Sequence, residues 1–154
     1  MSTAFAQPET DGEAALLDIS GLRLMLPQSE MRALEAATAL DTDETKPFSV
    51  GWVRLNGERW PVYCLSPELS LLVVVPKERR SCLVLGSGAG YIGILCDEFS
   101  VGVQIPPEQR HDLPPAMRMA DTPIVGLAAL DDDEVACITS AERLIEHIAR
   151  QVNL

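Results

Sequence analysis

Short apolar runs alternate with turn-forming residues along most of the chain, and a helical period takes over only at the end. The clearest instance is PFSVGWVRLNGERWPVYCL, in which the runs Ser49–Leu55 and Arg59–Leu65 flank Asn56-Gly57. Both turn residues tolerate the positive φ that a type I′ turn demands, so the stretch predicts a β-hairpin. Val, Trp and Tyr around the turn suit a pleated, half-buried surface. Pro61 has no N–H, which places its strand at an edge or beside a bulge. Trp52 and Trp60 stand on either side of the turn and are expected to pair across it. Strand alternation puts Trp52 on one face with Arg54 and Asn56, and Val53 with Leu55.

Upstream, Ala15–Leu26 reads as a strand or tight hairpin around Ser20-Gly21, closing on Pro27. Gln28–Leu40 is rich in Ala, Met and Glu, and Met31, Leu34 and Thr38 recur at helical spacing, which predicts a short helix. Asp41–Lys46 is a polar loop. Downstream, Leu69–Val75 reads as a strand and Pro76–Arg80 as a charged connection. Ser81–Leu85 and Tyr91–Cys96 are apolar runs around Gly86-Ser87-Gly88-Ala89-Gly90, and Val101–Ile105 ends at Pro106-Pro107. Glu108–Pro123, with His111, is a long irregular connection of the kind that often forms a binding surface. Ile124–Leu130 and Val135–Ile138 flank the acidic tip Asp131–Glu134. Thr139 and Glu142 make a T-x-x-E capping box. Ala141, Leu144, Ile145, Ile148 and Val152 then form one apolar stripe of a closing helix, with His147 beside it. Many short strands and one terminal helix predict a mainly β protein, a small barrel or sandwich.

The 154 residues suit one domain, and a hydrophobic fraction of 47% fits a globular chain. No apolar run approaches the roughly 20 residues that span a bilayer, so membrane insertion is not expected. The start, MSTAFAQPETDGEA, lacks a basic n-region and an apolar h-region. Residues 1–14 are expected to be a disordered, solvated tail before a domain over 15–154, in the cytoplasm. Net charge is −11, with 12 Lys and Arg against 23 acids, which argues against nucleic acid as a partner. Lys77 with Arg79-Arg80 is the one dense basic spot and reads as a loop. Cys64, Cys82, Cys96 and Cys137 each sit in an apolar run without metal-ligand spacing, as inert core thiols do. A catalytic cysteine would need a base, and the histidines are His111 and His147. Neither a catalytic residue, nor a metal, nor a cofactor is expected.

CLVLGSGAGYIG, Cys82–Gly93, admits two readings. It resembles motif I of Rossmann-like SAM-dependent methyltransferases, in which strand, G-x-G-x-G loop and helix bring backbone close to the ligand. A SAM- or nucleotide-binding enzyme using Gly86–Gly90 is therefore the alternative function. Against it, Val84 occupies the place of the usual acid, and Gly93, Gly102 and Pro106-Pro107 interrupt the required helix. Ile92, Ile94 and Cys96 alternate as in a strand, which favours a hairpin with a glycine-rich turn. The tip Asp131-Asp132-Asp133-Glu134 lacks the glycine and glutamate of a calcium loop and reads as a solvated turn.

The chain also resembles CheW-like domains, which carry a segment G-apolar-x-x-L-R-G-x-x-x-P-apolar-apolar-D-L. Gly51, Leu55, Gly57, Pro61 and Leu65 fit it, while Asn56 replaces the arginine and Cys64 the aspartate. Leu24-Met25-Leu26-Pro27 is similar to the family's early strand. Gly93–Phe99 is similar to its G-apolar-apolar-V-D-x-V segment, with Cys96 and Phe99 for the valines and Asp97 retained. Gly126–Leu130, Val135–Ile138 and Ala141–Ile145 follow its closing turn, strand and helix, so the likeness runs from Leu16 to Ile148. It implies two small SH3-like five-stranded β-barrels side by side, with a hydrophobic seam and a short C-terminal helix. It also implies a non-catalytic adaptor bridging chemoreceptor tips and the regulatory domain of a CheA-type histidine kinase. In the family the arginine of L-R-G lies on a partner-contacting surface, which makes Trp52, Arg54 and Asn56 the candidate partner-binding residues here. Asparagine cannot reproduce an arginine's bidentate contacts, and an aromatic contact through Trp52 is expected in its place. Divergent acidic relatives, ChpC-like, accompany type IV pilus chemosensory systems governing twitching motility.

Overall fold

The computed structural model describes residues 12–153 except 89, 120 and 132. Its strands are β1 (Ala14–Ile19), β2 (Leu22–Pro27), β3 (Met31–Ala36), β4 (Gly51–Leu55), β5 (Glu58–Leu65), β6 (Leu71–Leu72), β7 (Ser81–Ser87), β8 (Gly90–Cys96), β9 (Glu98–Val103), β10 (Arg110–His111), β11 (Gly126–Ala129) and β12 (Val135–Ile138). Among the described residues one α-helix, α1 (Ala141–Val152), closes the series. Most of the expected tail, residues 1–14, lies outside the described residues, and β1 begins at Ala14. Among the described residues no helix is long and apolar enough to cross a membrane.

The strands form two curled sheets, ordered β10-β11-β12-β2-β1-β9 and β3-β7-β8-β5-β4, with β6 added to β5. Setting aside the two-residue strands β10 and β6, each sheet has five strands, as expected of paired five-stranded barrels. Barrel A takes its hairpin β1–β2 from one end of the domain and β9–β12 from the other, and barrel B, β3–β8, is inserted between. Both are wired alike. Each has an antiparallel trio (β9-β1-β2 and β3-β7-β8) joined by a parallel pairing (β2 with β12, β8 with β5) to a hairpin (β11–β12 and β4–β5). In each, a short 3-10 turn returns the chain to the hairpin. Ala37–Ala39 leads to the Asp41–Trp52 bridge, and Pro107–Gln109 leads to β10 beside β11.

Alternation along the strands sorts side chains between a barrel interior and the seam. From barrel A, Leu17, Ile19, Leu24 and Leu26 face the seam, and from barrel B, Tyr63, Leu65, Leu83, Leu85, Ile92 and Ile94 meet them. Val53, Val62, Cys64, Cys82, Val84 and Leu95 fill barrel B, while Ala14, Met25, Ile105, Ala128 and Ala136 fill barrel A. Strands buried on both faces must read as unbroken apolar runs, which is why SCLVL and YIGILC show so little alternation. At about 1.5–3 kcal/mol per fully buried large side chain, the seam is the main hydrophobic term.

Four local expectations need correction. Gln28–Leu40 is not a helix: a 3-10 turn at Gln28–Glu30 leads into β3, whose ladder with β7 overrides the helix propensity of so short a stretch. Leu69–Val75 pairs only at Leu71–Leu72. The next position along β5 is already taken on that side by Val50 and Gly51, so the ladder stops and Val73, Val74 and Val75 stand 67%, 80% and 39% exposed. Pro61 is not on an edge strand, since β5 lies between β4 and β8. It precedes the pairing with β8, which starts at Val62, so its missing N–H costs no bond there. The helix cap is Ser140 rather than Thr139. The Thr139 N–H still donates to Met25 O at 2.8 Å, extending the sheet, so the Arg143 N–H donates to Ser140 Oγ at 3.2 Å one residue later.

The stripe of α1 forms as expected, with Ala141, Leu144 and Ile148 buried and Ile145 and Val152 packed against the seam. His147 is half-buried, its Nε2 2.7 Å from Leu69 O, and Gln151 spans the same segment, donating to Leu69 O at 3.0 Å and accepting from Leu71 N at 3.1 Å.

Candidate functional site

The central hairpin forms around Asn56 at φ 56° and Gly57 at φ 82°, as a type I′ turn requires. Asparagine suits this position better than arginine, because its short amide tolerates the left-handed region. A two-residue turn pairs Leu55 with Glu58, and therefore Trp52 with Pro61 and Val53 with Trp60. The two tryptophans thus lie on opposite faces and do not pair, correcting that expectation. Trp60 joins the interior of barrel B. Trp52 shares the outer face with Arg54 and Arg59.

Trp52 is half-buried because the acidic loop lies across it. Its indole N–H donates to the carbonyls of Asp43 and Glu44 at 3.0 and 3.2 Å. The Arg59 guanidinium sits 4.3 Å above the ring, donates to Asp43 O at 3.3 Å and pairs with Asp41 at 3.5 Å. Such an exposed cation–π contact is worth about 0.5–1 kcal/mol. Of the three candidate residues, Arg54 and Asn56 are exposed and Trp52 is engaged with its own loop.

A second polar cluster escaped sequence reasoning. Arg79, expected in a charged loop with Lys77 and Arg80, turns inward and its side chain has 0% exposure. Its Nε pairs with Asp97 Oδ1 at 2.8 Å, and its terminal nitrogens donate to Ser20 Oγ at 2.9 Å and Cys64 Sγ at 3.1 Å. Asp97 Oδ2 accepts from the Ser20 N–H at 3.1 Å. The β1–β2 turn of barrel A, strand β5 of barrel B and the β8–β9 passage are thereby tied through one guanidinium, whose planar fork suits several fixed acceptors. Cys64, in place of the aspartate of the family segment, gives this arginine a sulfur where that aspartate would offer a second carboxylate. Burial pushes the Cys64 thiol up, and nearby Arg79 offsets part of that rise. Asp97 was legible as a motif residue; nothing in Arg79-Arg80 marks which arginine faces in.

The remaining thiols are also held protonated. Burial pushes Cys82 and Cys96 up to about 12, and burial raises Cys137 too. None is a thiolate near neutral pH, as nucleophilic attack would require. The glycine-rich stretch is the β7–β8 hairpin, and strand β8 rather than a helix follows Gly90. Its glycines make room for rings: a Cβ on Gly86 would lie 2.6 Å from the Tyr91 ring, and one on Gly90 3.3 Å from Trp60. Among the described residues no three metal-ligating side chains converge.

Compared with models of known families, residues 13–149 match the CheW-like domain. Among solved structures the chain is similar to the scaffolding protein TtCheW from Thermoanaerobacter tengcongensis, with a TM-score of 0.69 and 16% identity over 88% of this chain and 92% of that one. At that identity the likeness is one of fold. No curated protein matches the chain.

Proposed function

This chain belongs to the CheW-like domain family, and from that premise we propose that it is a non-catalytic adaptor of a chemotaxis-type signalling system. The match over residues 13–149 carries this reading, and the paired barrels support it. Its partners are the regulatory domain of a CheA-type histidine kinase and chemoreceptor tips, and it works in the cytoplasm. Arg54 and Asn56 offer exposed contact surface on the central hairpin. Trp52 contributes by holding the acidic loop beside them and not as a bare aromatic. The loss of the family's arginine and aspartate, at Asn56 and Cys64, favours a divergent setting of the type IV pilus kind over an ordinary receptor array.

Analytical ultracentrifugation of the full chain with the kinase regulatory domain, receptor tips and pilus-system components from the same cell tests this. Association at tens of micromolar or tighter with one of them supports the adaptor; none associating overturns it. Titration calorimetry with SAM addresses the rival enzyme, for which saturable binding abolished by Gly88→Val would be the signature.

A further inference from the structure

The outer face of the central hairpin carries two arginines side by side. Arg54 on β4 stands directly opposite Arg59 on β5, and the pair Trp52–Pro61 follows on the same face, away from the turn. Directly opposed side chains have Cβ atoms about 5 Å apart, and like charges so placed repel. Neither position is that of the arginine in the family segment, which is Asn56 here.

In a chain of net charge −11 acids are plentiful, yet they answer this pair unequally. Arg59 lies 4.3 Å above the Trp52 ring, donates to Asp43 O at 3.3 Å and pairs with Asp41 at 3.5 Å. These oxygen partners come from the 41–46 loop, at the Trp52 end of the face. Asp43 and Glu44 turn main-chain carbonyls, and not carboxylates, to the indole N–H. Among the described residues Asp41 is the one acid whose carboxylate pairs with either arginine. Arg54 is exposed and, among the described residues, has no ion pair. The loop therefore covers Trp52, while Arg54 and Asn56 stay exposed at the turn end.

We propose that the Arg54–Arg59 pair docks an acidic segment of a partner protein. A carboxylate set between the two guanidiniums accepts from both and offsets their mutual repulsion, and each guanidinium can take it through two parallel N–H donors. Acids two positions apart in an extended segment, as in Glu-x-Glu, project to one side about 7 Å apart, so one meets Arg54 while the next reaches Arg59. The Trp52 ring holds Arg59 in place beforehand, which lowers the ordering cost of binding. The 41–46 loop displays the same chemistry within the chain, since Arg59 finds there both a carboxylate and a main-chain carbonyl. The proposal rests on the adaptor reading and gives its hairpin surface a partner chemistry.

The probe is the peptide acetyl-Ala-Glu-Ala-Glu-Ala-amide, titrated into the isotope-labelled full chain and followed by amide and arginine Nε–H NMR shifts. Expected are shifts concentrated at Trp52, Arg54 and Arg59, and binding that weakens as salt is raised. Arg54→Gln, at an exposed position, weakens binding about fivefold, and a peptide with glutamine for both glutamates loses at least as much. Arg54→Lys recovers only part of the loss, because an ammonium cannot grip a carboxylate bidentately. Absent binding, equal binding of the glutamine peptide, equal binding by Arg54→Gln, or shifts centred on Lys77 and Arg80 overturn the arginine pair as the site. A separate titration with the kinase regulatory domain, receptor tips and pilus-system components keeps the two readings apart. If one of them binds wild type and Arg54→Gln alike, the pair fails as a docking surface and the adaptor stands. If the peptide seats on the pair while no kinase, receptor or pilus component associates, the adaptor reading fails and the pair stands.

Discussion

Where Trp60 leans edge-on against Tyr91 in barrel B, barrel A has Ala136 and Arg23, yet both barrels close in the same way. These positions correspond because each lies two residues back from a parallel pair, Val62 beside Gly93 in one barrel and Ile138 beside Met25 in the other. A Cβ on Gly51 would lie 3.1 Å from the carbonyl oxygen of Asp41, and one on Gly126 would lie 3.0 Å from that of His111. Asp41 and His111 occupy equivalent places, each on the segment that follows a 3-10 turn and returns to the hairpin. Closure is thus a backbone approach for which glycine leaves room, and it is shared. Filling differs widely, from Val53 against Trp60 to Ala128 against Ala136. A barrel this small tolerates an alanine interior because the seam, not either interior, carries most of the burial.

The comparison can be broken at its joint. Arg79→Ala leaves the Asp97 carboxylate in the seam without its partner and should cost about 4 kcal/mol. Because the guanidinium ties both barrels, urea unfolding should move together for tryptophan fluorescence, which reports barrel B, and for amide exchange at Ala128 and Ala136. Loss confined to one barrel would show that the brace is local. Trp60→Ala gives barrel B the side chain that barrel A has there and should cost about 3 kcal/mol. A cost near zero would mean that the ring is dispensable and the two fillings equivalent.

Smaller substitutions sharpen the equivalence. Gly51→Ala and Gly126→Ala should each cost about 1–2 kcal/mol, and by similar amounts, because each Cβ meets a backbone carbonyl that cannot easily give way. Markedly unequal midpoints in urea would show that the two closures differ. Smallest is Trp52→Phe, which removes the indole donor from Asp43 and Glu44 and should cost about 1 kcal/mol. Faster proteolytic cleavage within 41–46, with barrel A exchange unchanged, is the expected readout.

Local chemistry was legible wherever one short signal decides the backbone. Asn56-Gly57 announced its turn, Ser20-Gly21 its hairpin, and the spacing of Ala141 to Val152 its helix. What sequence could not show depends on distant partners. Met31–Ala36 becomes a strand because β7 offers an edge, and Val73–Val75 stay unpaired because β4 already occupies that side of β5. Thr139 loses its capping role to a sheet bond with Met25. The candidate site was half visible: alternation put Trp52 and Arg54 on one face, but the loop that covers Trp52 is joined to it by tertiary contacts alone. Arg79 was hidden for the same reason, since each side chain that holds it lies at least 15 residues away.

The insertion of barrel B inside barrel A also dictates an order of events during protein synthesis. The β1–β2 hairpin leaves the ribosome early, but β9 and β12, which flank it in the finished sheet, are translated much later; 77 residues already separate Ser20 from Asp97. Barrel B is continuous and can assemble as soon as β8 emerges. Until then Leu17, Ile19, Leu24 and Leu26 have no seam to enter, and they form an apolar nascent surface of the sort chaperones hold. Long-range closure is slow, so barrel A is the last part of the fold to become native.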